Sequence, residues 1–268
     1  MIDYSSEVVA QLNEKLVKEV VVSDTTIDPN HNTIYYSDLF RVVGLNYDGS
    51  KKSEFVTIGK LRSLTVDPTN EIIYYTASRK IYKADPQGEI IEELAADDIS
   101  FFALNISFRA EANDLYISDF GYESIVRVDI ETGEFDPIYT RVGRPNGLAI
   151  DQENDILYWV DGTTGRIAMS PMDWSGMREI VGDLKNPRHL IHYKNNLCWI
   201  EKGNKVNRID ISSGEMVSVV VRNKTIQGLD IDRLSNRIYF SEGSKEIYST
   251  DLLGDNLQVK PFAFEVEA

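Results

Sequence analysis

Five carboxylates recur at one position in this chain. Asp38, Asp119, Asp161, Glu201 and Glu242 each end a short apolar stretch: IYYSD, LYISD, LYWVD, LCWIE and IYFSE. Carboxylates gathered around a single mouth focus negative potential and steer a cationic ligand. The same residue type at a strand end also accepts loop N–H groups or pairs with a nearby arginine. Arg41 follows Asp38 by three residues, and Arg166 follows Asp161 by five. Catalytic chemistry has fewer footholds. The three histidines, His31, His189 and His192, form no ligand motif. No HExxH, GxSxG, phosphate-cradling glycine loop or cysteine cluster occurs. The lone Cys198 cannot form an internal disulfide. The expectation is a binding protein without catalysis, cofactor or metal.

A repeat must position these carboxylates. IYYTA, at Ile73–Ala77, completes a set of six stretches, with Ala77 in place of the acid. Their first aromatic slots are Tyr35, Tyr74, Tyr116, Tyr158, Cys198 and Tyr239, at spacings of 39, 42, 42, 40 and 41 residues. Upstream, Ile27-Asp28, Val66-Asp67, Ile150-Asp151 and Ile231-Asp232 each place an Asp seven residues before the slot. Downstream, a strand-like run ends at Gly49, Gly88, Gly133, Gly176, Gly214 or Gly254. Four strands of about five residues with tight turns fill about 40 residues. Adjacent aromatics such as Tyr158 and Trp159 mean that both faces of the second strand are covered. Blades stacked face to face around a channel do this. The expected fold is all-β: a six-bladed β-propeller of four-stranded antiparallel blades over residues 19–268. A short amphipathic helix is expected over 1–18, where Val8, Val9, Leu12 and Leu16 fall at helical spacing.

The stretch RPNGLAIDQENDILYWVDGTTGRI, residues 144–167, resembles the YWTD repeat, the class B repeat of the low-density lipoprotein receptor family. The resemblance extends over about residues 20 to 264. It implies a non-enzymatic, extracellular propeller that binds proteins or peptides at its top, central face. PNGL also resembles six-bladed calcium-dependent lactonases of the gluconolactonase type. That likeness implies Asn146 as a metal ligand and supplies the alternative, a hydrolase. A purely structural scaffold is a third possibility.

With strands A to D running outward, the B–C loops and the D-to-A connectors share the top face. Aromatic and arginine side chains there have hot-spot chemistry: Phe40, Phe101, Phe102, Phe120 and Tyr122, with Arg144, Asn146 and Arg188. His189, near the same face, is a candidate for titration at endosomal pH. Trp174, in the MDWSGM turn opposite, is either an exposed patch or folded back. Net charge is −15, which opposes nucleic acid and anionic lipid and suggests a basic protein or peptide partner. No apolar run is long enough for membrane insertion, and a monomer is expected. The opening residues carry no basic-then-apolar leader pattern, so the compartment rests on the resemblance.

Overall fold

The computed structural model describes residues 24–96, 102–242 and 246–261. They form six antiparallel sheets of four strands. Blade one holds β1 (Asp24–Asp28), β2 (Thr33–Ser37), β3 (Arg41–Asn46) and β4 (Lys51–Val56). Blade two holds β5 (Leu61–Asp67), β6 (Ile72–Ala77), β7 (Lys80–Ala84) and β8 (Ile90–Ala96). Blade three holds β9 (Ala103–Arg109), β10 (Asp114–Asp119), β11 (Ser124–Asp129) and β12 (Phe135–Thr140). Blade four holds β13 (Pro145–Asp151), β14 (Ile156–Asp161), β15 (Arg166–Pro171) and β16 (Arg178–Val181). Blade five holds β17 (Arg188–Tyr193), β18 (Asn196–Glu201), β19 (Lys205–Asp210) and β20 (Met216–Val221). Blade six holds β21 (Ile226–Asp232), β22 (Arg237–Glu242), β23 (Glu246–Asp251) and β24 (Gln258–Pro261). The innermost strands β1, β5, β9, β13, β17 and β21 contact one another in a closed ring. The six-bladed, all-β expectation holds. The helix expected over 1–18 lies outside the described residues.

The paired slots on the second strands join the blades by one rule. The first side chain packs on the following blade and the second on the preceding blade. Tyr35 joins Leu61, Leu64 and Ile73 of blade two, while Tyr36 joins Tyr239 and Ile247 of blade six. Tyr158 lies with Leu190 and Leu197 of blade five, and Trp159 with Tyr116 and Ile125 of blade three. Cys198 obeys the rule in the tyrosine slot, beside Ile231 and Ile238 of blade six. Each such side chain, fully buried, contributes about 1.5–3 kcal/mol. Gly44, opposite Tyr35 in the ladder, makes room for its ring. A Cβ there would lie 2.9 Å from Tyr35 Cε1 and 2.6 Å from Ser53 Oγ.

Aspartates build the turns. Asp28, Asp67, Asp151 and Asp232 accept two backbone N–H groups each in their A–B turns. Asp48, Asp85, Asp129, Asp173, Asp210 and Asp251 accept backbone N–H groups in the six C–D turns. A short carboxylate held in this way substitutes for a backbone acceptor and fixes the loop. Both sets lie on the face opposite the B–C loops.

The ring closes by side-to-side packing of blade six against blade one. Asp230 Oδ2 accepts Ile27 N at 2.7 Å and Thr26 Oγ1 at 3.1 Å across this seam.

Candidate functional site

The recurring carboxylates of the second strands are turned into their own loops. Asp38 Oδ1 accepts Phe40 N at 2.9 Å and Arg41 N at 2.8 Å, and its Oδ2 lies 2.7 Å from Arg41 Nη2. Asp119 Oδ1 accepts Gly121 N and Tyr122 N, each at 3.0 Å. Asp161 Oδ1 accepts Thr163 N at 3.0 Å and Thr164 N at 3.1 Å, and Oδ2 accepts Arg166 Nε at 3.1 Å. All three are buried. Gly143, with φ 79°, lets the D-to-A connector approach closely, because a Cβ there would lie 2.0 Å from Asp161 Oδ1. Burial pushes the buried Glu242 carboxyl up, but the Arg222 guanidinium, 2.6 Å away, outweighs it and holds it below the usual range. Glu201, half-buried, accepts Lys185 N at 3.0 Å and the Asn207 amide.

The outward chemistry of this face belongs to aromatic and arginine side chains over blades two to four. Phe102 and Tyr122 are 49% and 54% exposed, and they are the exposed aromatics among the described residues. Phe102 and Phe120 meet with ring centroids 6.4 Å apart. Arg62 Cζ lies 5.1 Å from the Phe102 centroid, and Arg144 Cζ lies 5.3 Å from that of Phe120. Arg79 Nη2 donates to Tyr122 OH at 3.1 Å. Phe120 N donates to Phe102 O at 2.9 Å and ties the two loops together. Arg144 also lies 3.7 Å from Glu123.

Of the residues singled out from the sequence, Phe102, Phe120 and Arg144 come together, and Tyr122, two residues on from Phe120, is joined to Arg79. Phe40, half-buried, belongs to blade one; Asn146 is half-buried in β13. Arg188, in β17, donates to Ile226 O, and burial pushes its guanidinium below the ordinary range. Phe101 lies outside the described residues.

Sequence reasoning missed Arg62 and Arg79. Blade two held the signal for Arg79: Ala77 replaces the carboxylate there, and Ala77 pairs with Lys80, leaving a two-residue hairpin. Its residues Ser78 and Arg79 have φ of 50° and 66°. Two positive φ values belong to a type I′ turn, which Asn and Gly usually occupy. No comparable signal marks Arg62.

The axial channel, a space of about 70 Å³, is lined by the inner strands. Asp24 Oδ2 accepts Ser63 Oγ at 2.6 Å and Leu64 N at 3.1 Å, and burial pushes its carboxyl up to about 7. Asp230 is raised as well, again by burial. Burial pushes His189 down to about 3, away from the endosomal range, with Asp24 Oδ1 3.8 Å from its Nδ1. His192 is a buried residue of β17, and its ring stacks on Tyr158 at 5.4 Å. Beside it a cavity of about 660 Å³ opens on the A–B face between blades four and five. Trp174 folds back onto blade three, 5.5 Å from Tyr139 and 6.5 Å from Tyr116. Asp28, His31 and Glu71 have donor atoms within 4.8 Å of one another on the A–B face, away from Asn146.

No protein-family model matches the chain. Over 121 residues, 44% of its length, it is 26% identical to the vitellogenin receptor Yl of Drosophila melanogaster. Over 110 residues, 40% of its length, it is 33% identical to low-density lipoprotein receptor-related protein 5 of Homo sapiens. Each match spans 6% of the receptor. A chain of the nidogen/laminin complex superposes with TM-score 0.71 at 16% identity, over 90% of this chain and 92% of that one. A gluconolactonase of Xanthomonas campestris gives 0.73 at 14% identity, over 90% and 86%. Virginiamycin B lyase of Staphylococcus aureus gives 0.65 at 17%, over 85% and 79%. Such structural likenesses speak for the fold alone. The chain is a six-bladed β-propeller of four-stranded antiparallel blades. The receptor matches bear out its resemblance to the class B repeats of the low-density lipoprotein receptor family.

Proposed function

We propose that this propeller is a non-catalytic docking module, acting as a single copy, that binds a protein or peptide segment on its B–C face above blades two to four. One observation carries the reading: of the exposed aromatics among the described residues, Phe102 meets Phe120, with Arg62 and Arg144 over their rings, and Tyr122, in the same loop as Phe120, is bonded to Arg79. Aromatic and arginine side chains dominate binding energy at protein interfaces. Stacked blades keep the loops ordered beforehand, so docking costs little ordering entropy. Phe102, Phe120, Tyr122 and Arg144 form the contact set, with Phe40, Asn146 and Arg188 at its margin. Asp38, Asp119, Asp161, Glu201 and Glu242 serve it from behind by fixing the loops. The receptor matches favour this reading and an extracellular setting.

The test is selection of binders from a random displayed-peptide library on the whole chain. Enriched peptides are expected to lose more than about tenfold in affinity with Phe102→Ser plus Tyr122→Ser. They should keep it with Leu234→Ser on the opposite face. Equal binding to the double variant overturns the site. Calcium-dependent lactone turnover overturns the non-catalytic reading and favours the gluconolactonase alternative.

A further inference from the structure

We infer that the segment docking on this face is acidic and carries at least one apolar side chain. This rests on the proposed docking face, and it reverses what the net charge of −15 suggests by itself.

The acidity has another explanation. Aspartates of the A–B and C–D turns hold backbone N–H groups on the opposite face. On the docking face, Asp38, Asp119 and Asp161 are buried in their own turns, and Glu242 is neutralised by Arg222. Carboxylates engaged in this way shape the scaffold and add little to what the rim presents. The rim is set by the connectors between blades. Those described carry Lys60, Arg141, Arg144 and Lys185, with Asp183 as their acidic member, while Arg222 and Lys224 are paired with Glu242 and Glu246. Over a Debye length of about 8 Å in physiological salt, these local charges govern a ligand more than the distant total does.

The patch itself suits a carboxylate beside an apolar group. Arg62 and Arg144 rest over the rings of Phe102 and Phe120, and Arg79 is tethered to the Tyr122 hydroxyl. A guanidinium held against a ring loses less freedom when it binds. Its forked N–H groups match a carboxylate in two parallel bonds. The half-exposed rings of Phe102 and Tyr122 take the apolar side chain. A basic segment would bring ammonium groups against the guanidinium groups of Arg62 and Arg144, the latter shared with Glu123 at 3.7 Å, a like-charge arrangement that complementary interfaces avoid.

Two amidated peptides with acetylated N-termini test this by fluorescence anisotropy: Gly-Glu-Phe-Asp-Leu-Glu-Gly and Gly-Lys-Phe-Lys-Leu-Lys-Gly. The acidic peptide is expected to bind at least about tenfold more tightly, and more weakly as salt rises from about 50 to 500 mM. Arg62→Glu with Arg144→Glu is expected to reverse the preference while Tm is retained. The library selection separates the two proposals. Enriched peptides that need Phe102 and Tyr122 but are neutral or basic overturn the polarity and leave the docking face standing. Enriched peptides indifferent to Phe102 and Tyr122 overturn the face. Equal binding of the two probes, or a preference that survives the charge reversal, also overturns the polarity.

Discussion

The two faces of the propeller use one device to different ends. On the A–B and C–D face, an aspartate caps all six C–D turns and the A–B turns of blades one, two, four and six, and the exposed leucines there, Leu234 and Leu253, are aliphatic. On the B–C face the cap holds in blades one, three and four and then gives way: alanine in blade two, glutamate in blades five and six. The aromatic and arginine cluster stands beside the alanine exception. On the B–C face, then, the specific chemistry gathers where the repeat departs from its own pattern. The contrast also separates two meanings of negative charge. A carboxylate that accepts loop N–H groups is a building part, and counting it as a signal to partners misreads it.

The comparison presupposes that the ring between the faces stays closed. Trp159→Ala opens a void at the joint of blades three and four and is expected to cost about 3–5 kcal/mol, read by denaturant unfolding. It should disturb both faces alike, and a loss confined to one would break the contrast. Next come the caps. Asp119→Ala and Asp151→Ala each orphan two backbone donors, at about 1–3 kcal/mol. Only Asp119→Ala, which frees the Tyr122 loop, should also weaken peptide binding. Equal effects on binding would erase the distinction.

A smaller effect runs through the channel joining the faces. The raised pKa of Asp24, about 7 against 3.8, means that the fold holds a proton the unfolded chain releases. Its contribution is therefore full below about pH 4 and is lost as pH rises through 7. Asp24→Asn keeps the acceptor for Ser63 Oγ and Leu64 N. Tm of the variant is expected to gain on that of the wild type between pH 4 and 8, while Asp230 still titrates in both. Parallel curves would remove the claim. The smallest expected stability change is at the patch: Tyr122→Ser, about half exposed, should shift stability by less than about 0.5 kcal/mol while impairing peptide binding. A large loss of stability would reassign Tyr122 to the scaffold.

The blades were legible because a doubly covered strand cannot alternate, and six adjacent pairs at near-constant spacing leave few other architectures. Even the exception at Cys198 was placed correctly by its register. The site was legible only in outline. Phe102, Phe120, Tyr122 and Arg144 could be found as loop residues of hot-spot type. Arg62 could not, because a charged residue near a strand start is ordinary until a ring from the next blade lies beneath it. The carboxylates were found and their surroundings were not: whether Asp119 looks outward or accepts Gly121 N depends on the path of the loop backbone. His189 fails for a similar reason, since sequence gives proximity to a face but not burial in a channel.

Every blade is written as one uninterrupted stretch of chain, and among the described residues no strand passes from the sixth to the first. Tension applied between residues 24 and 261 would thus meet only lateral contacts and the Asp230 bonds at that junction. The circle should part there first, like a clasp, with each sheet still whole. The same arrangement lets a recombination event at any connector add, delete or reorder one complete unit without cutting a hydrogen-bonded ladder.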